Sequence, residues 1–354
     1  PRRHPRIPTP QRLYGPMRRN SIGVDLSQAS ERKVLEENVE QLRQGSALVS
    51  GPIISGKPKT EGGAEVFAPA DTSRRLGTVL EASEADADAA LNAAVAFQGE
   101  WDALGGAKRA KILSDMGDAL EANMDRLVAL MAEEAGKTFG DGIAEVREAV
   151  DFCRYYAIQA EEHFEGATRL PGPAGETNHI SLHGRGVFAC ISPWNFPFAI
   201  PWWMIGPALI MGNTVVFKPA EQTALIGQRI VELCEDVGFP PGVINMVHGK
   251  AITGKALVGD SRVRSVLFTG SYEVGREIKM VCAQDDELDK LAVLETGSKS
   301  GLIALDDADL LLAADATYKS AFKTTGQRCV TGSIVYVPRQ KAHRFTDLLM
   351  QYIG

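Results

Sequence analysis

The chain has 354 residues, is 44% hydrophobic and 23% charged, and carries a formal net charge of −7. That is ordinary for a globular protein and long enough for two domains. The first twenty residues hold six arginines and no acid, which leaves −13 on the remainder, and an acidic body argues against a nucleic-acid surface. No run of 18 or more apolar residues occurs, so no membrane span is expected.

Residues 1–45 read as an arm or linker. Pro1, Pro5, Pro8, Pro10 and Pro16 alternate with arginines and predict an extended, solvated tether, with a short polar helix from Ser30 to Leu42. Three prolines in the first eight residues disfavour an amphipathic transit helix, and the missing initiator Met fits a processed product or a fragment. Cys153, Cys190, Cys234, Cys282 and Cys329 form no C-x-x-C pair, which indicates neither a disulfide framework nor a zinc ribbon. A reducing, cytoplasmic setting fits, and no metal is expected.

Residues 46–295 read as one domain. Short strands are expected at Pro52–Ile54, Glu65–Phe67 and Gly77–Leu80. Ser83 is placed to cap a helix with Asp86 in its first turn. Ile112, Leu113, Met116 and Leu120 form an apolar stripe at helical spacing, continued by Leu127, Val128 and Met131 until Gly136. Val146, Ala149, Val150 and Cys153 mark the buried face of another helix. Residues 167–184 predict a hairpin standing off the body, of the kind that seeks a sheet edge in a second copy, hence a homo-oligomer.

From Val187 apolar strands alternate with helices: Val187–Ile191, Thr214–Lys218, Val243–Val247, Ser265–Thr269 and Leu291–Glu295. The pattern predicts an α/β fold with a Rossmann-like parallel sheet covered on both faces. Ligands of such sheets bind beyond the carboxyl ends of the strands. Residues 296–354 read as the beginning of a second α/β domain that is unfinished at Gly354.

Four stretches beyond those strand ends carry polar chemistry. Ser192–Pro193–Trp194–Asn195–Phe196–Pro197 sets an amide between two prolines and two aromatics that would wall off water. It fits either an oxyanion donor or a turn whose Asn195 caps the next helix. Lys218–Pro219–Ala220–Glu221 fits either a ribose site or a solvated ion pair. Phe268–Thr269–Gly270–Ser271–Tyr272–Glu273–Val274–Gly275 is a strand, turn and helix start suited to phosphate, although no G-x-G-x-x-G is present. Leu294–Glu295–Thr296–Gly297 lies 34 positions before Cys329, which follows Gly326–Gln327–Arg328. Cys329 fits either an inert core thiol or a nucleophile whose thiolate is favoured by Arg328 and local amides. Glu295, if near it and partly desolvated, suits a general base.

In this order the motifs PWNFP, KPAEQ, FTGSxxVG, LETG and GQRC resemble the aldehyde dehydrogenase superfamily, from about residue 50 to the end. The resemblance implies NAD-dependent oxidation of an aldehyde to an acid. By it, Cys329 adds to the carbonyl, Asn195 and the Cys329 backbone N–H hold the oxyanion, and Glu295 activates the water that cleaves the thioester. Lys218 and Glu221 would hold the adenosine ribose and Ser271 the pyrophosphate, with Ser192, Trp194, Gly270 and Gly297 also lining the cofactor. Glu221 implies NAD rather than NADP, because a carboxylate repels a 2′-phosphate. Ser298 stands where the family pattern has a second glycine, and the family's later Glu-x-Phe motif is absent.

The arm from His4 to Ser27, Cys190–Trp194 and Glu145–Phe152 also resemble the dehydrogenase module of bifunctional proline utilisation flavoproteins. That implies L-glutamate γ-semialdehyde as substrate, glutamate as product, and a proline dehydrogenase flavin domain upstream. The alternatives are another semialdehyde, such as succinate semialdehyde, or a truncated NAD-binding homologue without activity.

Overall fold

A computed structural model describes residues 6–284 and 290–354; Pro1 to Pro5, including the His4 of the arm, lie outside the described residues. The chain divides into two compact units, Pro1–Thr269 with Glu277–Leu294, and Gly270–Arg276 with Glu295–Gly354.

In the first unit helix α1 (Ala29–Gln44) precedes strands β1 (Leu48–Ser50), β2 (Ile53–Ile54), β3 (Lys57–Pro58), β4 (Ala64–Ala68) and β5 (Asp71–Val79). Helices α2 (Glu84–Ala103), α3 (Gly106–Ala122), α4 (Met124–Ala135) and α5 (Phe139–His163) follow, and then β6 (Thr168–Leu170) and β7 (Asn178–Ile180). The alternating part comprises β8 (Val187–Ile191), α6 (Ala199–Ile210), β9 (Thr214–Lys218), α7 (Ala224–Asp236), β10 (Ile244–Met246), α8 (Ala251–Gly259), β11 (Val263–Gly270), α9 (Tyr272–Ala283) and β12 (Leu291–Thr296). The second unit adds β13 (Ser300–Ile303), α10 (Leu310–Ala321), β14 (Gly332–Tyr336) and α11 (Ala342–Ile353).

The central sheet has the order β12-β11-β8-β9-β10-β2-β3. Neighbours from β11 to β10 run parallel, and β2 and β3 add an antiparallel edge. Every residue of β8 and β9 is buried, because helices cover both faces; this is why both strands read as unbroken apolar runs. A second sheet has the order β1-β5-β4, and β6 with β7 forms an exposed antiparallel hairpin within the expected residues 167–184. In the second unit β13 and β14 pair in parallel, with Ser300 in register with Gly332. Among the described residues no helix is long and apolar enough to cross a membrane.

Ser83 and Asp86 cap α2 reciprocally, as their spacing predicts. The amino-terminal segment departs from the expected solvated tether. Leu35 and Val39 of α1 are buried at i, i+4 spacing, and α1 packs on α4. Arg18 and Ser21 bind Asp151 of α5 at 2.8 and 2.7 Å, so this stretch is pinned by side chains that composition alone reads as solvated.

Candidate active site

The first unit presents its site residues at the carboxyl ends of two adjacent strands. Ile191 of β8 pairs with Lys218 of β9, and the Ser192 N–H donates to the Lys218 carbonyl at 3.2 Å. The Ser192–Asn195 and Lys218–Glu221 loops therefore leave the sheet side by side.

Lys218 is buried, not the exposed half of a loop ion pair. Among the described residues its ammonium has one hydrogen bond, to the Pro219 carbonyl at 3.4 Å. Burial lowers its pKa, while Glu221 and Glu81 oppose that shift. Glu221 is exposed in the 3-10 turn Glu221–Thr223. A poorly satisfied ammonium with a carboxylate three residues on suits a vicinal diol, which both accepts and donates.

His248 is a residue that sequence reasoning missed. It is buried, its Nε2 lies 2.7 Å from Ser50 Oγ, and its Nδ1 lacks a hydrogen-bond partner. Burial and the Lys218 charge push its pKa down to about 4, so the ring is neutral at pH 7. A lone histidine after an apolar strand gave no sequence signal for this.

Asn195 does not cap α6. The N-cap residue is Phe198, which makes no side-chain capping bond, and the Phe198 and Ala199 N–H groups donate instead to Glu145 Oε2 at 3.0 and 3.1 Å. The helix-capping alternative for Asn195 is thereby removed. The dry wall expected around it is not formed within this unit: Trp194 is 44% exposed. Phe196 is half-buried, with the Lys137 ammonium 4.5 Å from its ring centre.

Glu134 treats α7 as Glu145 treats α6, accepting the Leu225 and Ile226 N–H groups at 2.8 Å each. Among the described residues it makes no ion pair, and burial pushes its carboxyl up to about 8 against the pull of those two amides. A raised folded-state pKa contributes stability that is complete below the unfolded value and is lost as pH rises toward 8. Urea titrations between pH 5 and 8 should show wild type losing stability relative to Glu134→Gln, with a slope of at most about 1.4 kcal/mol per pH unit. Parallel curves would show that Glu134 does not titrate in this window.

The second unit holds Gly270, Ser271, Glu295, Gly297 and Cys329. Gly297 N–H donates to the Gly270 carbonyl at 3.0 Å, and a Cβ at Gly297 would meet nothing within 4 Å. The Ser271 hydroxyl accepts the Val274 N–H at 3.3 Å in the first turn of α9. Ser298 Oγ donates to the Cys329 carbonyl at 3.2 Å. That bond and the Ser300–Gly332 register draw the segment after Glu295 against the segment bearing Cys329. Glu295 is exposed, so the partial desolvation expected of it is not met.

Cys329 is exposed, whereas Cys153, Cys190, Cys234 and Cys282 are all buried. The inert-core alternative therefore belongs to the other four. The 3-10 turn that precedes it, Lys323–Gly326, holds Thr324, Thr325 and Gly326 at φ of 63°, 53° and 69°. Two non-glycine residues in the left-handed region cost roughly 1–3 kcal/mol each and need local support. Arg328 Nε donates to Thr324 Oγ1 at 3.0 Å, and Thr331 Oγ1 donates to the Gly326 carbonyl at 3.1 Å.

Comparison with known proteins agrees with these features. The model of the Aldehyde dehydrogenase family matches residues 56–353. Bifunctional protein PutA of Escherichia coli (strain K12) is 38% identical over 92% of this chain and 24% of its own length. Alpha-ketoglutaric semialdehyde dehydrogenase of Bacillus subtilis (strain 168) is 36% identical over 80% of this chain and 57% of its own. The crystal structure of 1-pyrroline-5-carboxylate dehydrogenase from Thermus with bound NAD superposes with a TM-score of 0.90 at 30% identity, covering 94% of this chain and 66% of that one. The chain thus spans about a quarter of the PutA relative and over half of the other two. With an exposed cysteine on a strained turn, a parallel sheet ending in the Asn195 and Lys218 loops, and a family match across most of its length, the chain belongs to the aldehyde dehydrogenase family.

Proposed function

We propose that this chain supplies the NAD-binding domain, residues 46–295, and the nucleophile-bearing start of the catalytic domain, residues 296–354, of a semialdehyde dehydrogenase. The substrate it fits best is L-glutamate γ-semialdehyde, oxidised to glutamate. The observation that carries this is the exposure of Cys329 alone among five cysteines, three residues after a turn held in the left-handed region. The PutA and 1-pyrroline-5-carboxylate dehydrogenase relatives support the substrate.

In this mechanism the Cys329 sulfur bonds to the aldehyde carbon, and the former carbonyl oxygen takes up negative charge. The Cys329 backbone N–H would donate to that oxygen, and the Asn195 amide is the second donor that the family resemblance implies. NAD, when bound, is the hydride acceptor. Loss of hydride leaves a thioester on Cys329, and Glu295 takes a proton from the water that cleaves it. Lys218 and Glu221 would hold the adenosine ribose, and Ser271 with the first turn of α9 would hold the pyrophosphate. Ser192 and Trp194, and Gly270 and Gly297, would line the cofactor. The hairpin at 167–184 pairs with a second copy, and a flavin domain that oxidises proline precedes this chain in a cytoplasmic protein.

NADH absorbance in the full-length protein with glutamate semialdehyde tests this against succinate semialdehyde. The expected result is a higher kcat/KM for the former. Preference for the latter moves the substrate to another semialdehyde, and turnover of neither rejects the activity. Lys218→Met is expected to weaken NAD binding by roughly tenfold, the worth of one charge-assisted hydrogen bond. Calorimetry with an unchanged dissociation constant would remove Lys218 from the ribose site.

A further inference from the structure

The start of α6 has no side-chain cap of its own, yet the loop bearing Asn195 is fixed from below by two residues to which the proposed mechanism gives no role. Glu145 lies in the second turn of α5 and is 1% exposed at its side chain. Its Oε2 takes the Phe198 and Ala199 amides, the third and fourth residues after Asn195, and its Oε1 meets Lys137 Nζ at 2.5 Å. Lys137 is 11% exposed and lies over the Phe196 ring, the residue immediately after Asn195.

Lys137 is itself held between two helix ends. Gly136 ends α4 at φ 65°, the Lys137 N–H donates to the Met131 carbonyl, and Thr138 caps α5 through the Asp141 N–H. Its stem therefore leaves a backbone of defined direction. Three positions of the loop and helix start, Phe196, Phe198 and Ala199, are thus fastened to one ion pair. The carboxylate faces the positive end of α6, where a negative charge is favoured. A buried ion pair is weak evidence for stability alone, because desolvation offsets much of the attraction. Its geometric specificity is what remains to be explained.

We infer that Lys137 and Glu145 are positioning residues that fix the Phe196 ring and the backbone at Phe198 and Ala199, so that the Asn195 amide just before them is held in place for the developing oxyanion. The oxyanion role rests on the function proposed above; the clamp itself does not. Misplacing a catalytic donor by about 1 Å costs on the order of a hundredfold in rate.

The test combines hydrogen–deuterium exchange of residues 192–203 with kinetics of the full-length protein, for Glu145→Gln, Lys137→Met, Asn195→Ala and the Glu145→Gln/Asn195→Ala pair. Exchange in 192–203 is expected to quicken on the order of tenfold in Glu145→Gln, with other segments unchanged. Lys137→Arg, which keeps the cation, is expected to recover protection relative to Lys137→Met. For turnover, kcat should fall in Glu145→Gln with KM for NAD unmoved, and the double variant should be no slower than Asn195→Ala alone. Unaltered exchange in both Glu145→Gln and Lys137→Met would overturn the clamp. Quickened exchange with additive rate losses would overturn its link to Asn195. If wild type oxidises no semialdehyde, the functional reading fails, and the exchange result alone decides the clamp. Should Glu145→Gln not fold, Lys137→Met carries the same comparison.

Discussion

Replacing Cys329 with alanine is expected to lower aldehyde oxidation by on the order of 10³-fold or more, while NAD affinity stays within about twofold of wild type. The sulfur is the atom that forms and releases the acyl intermediate, and no other cysteine can take its place, since the remaining four are buried. Cys153→Ala is the matching control. Its side chain is packed in the core with Leu113, Met116 and Leu120, so stability should fall by about 1 kcal/mol with turnover per folded molecule unchanged. Steady-state rates and NAD calorimetry on both variants decide the matter. Residual activity of Cys329→Ala within tenfold of wild type would exclude a cysteine mechanism.

The second large effect is expected at Arg109, which sits at the carboxyl end of α6. Arg109 is 1% exposed and pairs with no carboxylate in the described residues. Its Nε donates to the Ile210 carbonyl at 2.9 Å, and its Nη1 donates to the Trp101 and Asp102 carbonyls at 3.1 and 2.6 Å. Trp101 Nε1 adds a bond to the Leu209 carbonyl at 2.8 Å. A cation thus sits where the carbonyls of α6 and α2 run out, the favourable end of both helices. Burial lowers its pKa, but guanidinium remains charged at any ordinary pH. Arg109→Met leaves the Ile210 carbonyl without its side-chain donor, leaves the Trp101 and Asp102 carbonyls only the Leu104 and Gly105 N–H groups at 3.3 Å, and should cost about 2–4 kcal/mol. The thermal midpoint should fall by roughly 3–6 °C in scanning calorimetry. An unchanged midpoint would mean that water replaces the guanidinium without loss.

The strands at Val187–Ile191 and Thr214–Lys218 were legible to the residue because burial on both faces leaves no room for a polar interruption. Strands such as Leu48–Ser50 and Lys57–Pro58 were not, since two or three residues cannot establish a period. Among site residues, Cys329 and Glu295 stood out by chemistry and resemblance, whereas the burial that separates Cys329 from Cys153 is a tertiary fact. The two roles open to Asn195 could not be told apart locally, because the group that does cap α6 lies about fifty residues upstream, at Glu145. A signal was present there: Glu145 falls four positions before Ala149, on the apolar stripe of α5. A carboxylate on a buried face demands a partner, and the same question asked of Glu134 leads to α7. Lys218 looked like half of a surface pair because its burial depends on neighbours from other strands.

The distribution of sulfur in this molecule makes it an unusually clean subject for chemical labelling. Burial pushes the Cys153, Cys190 and Cys234 thiols up, away from the reactive thiolate, and all four core cysteines are shut off from reagent. A mild alkylating probe should therefore add once to the native chain and five times after denaturation. The mass of the adduct then reports how much of a sample is folded. For the same reason an oxidant such as peroxide has one thiol to attack first, and its product can be counted by mass at a single known position.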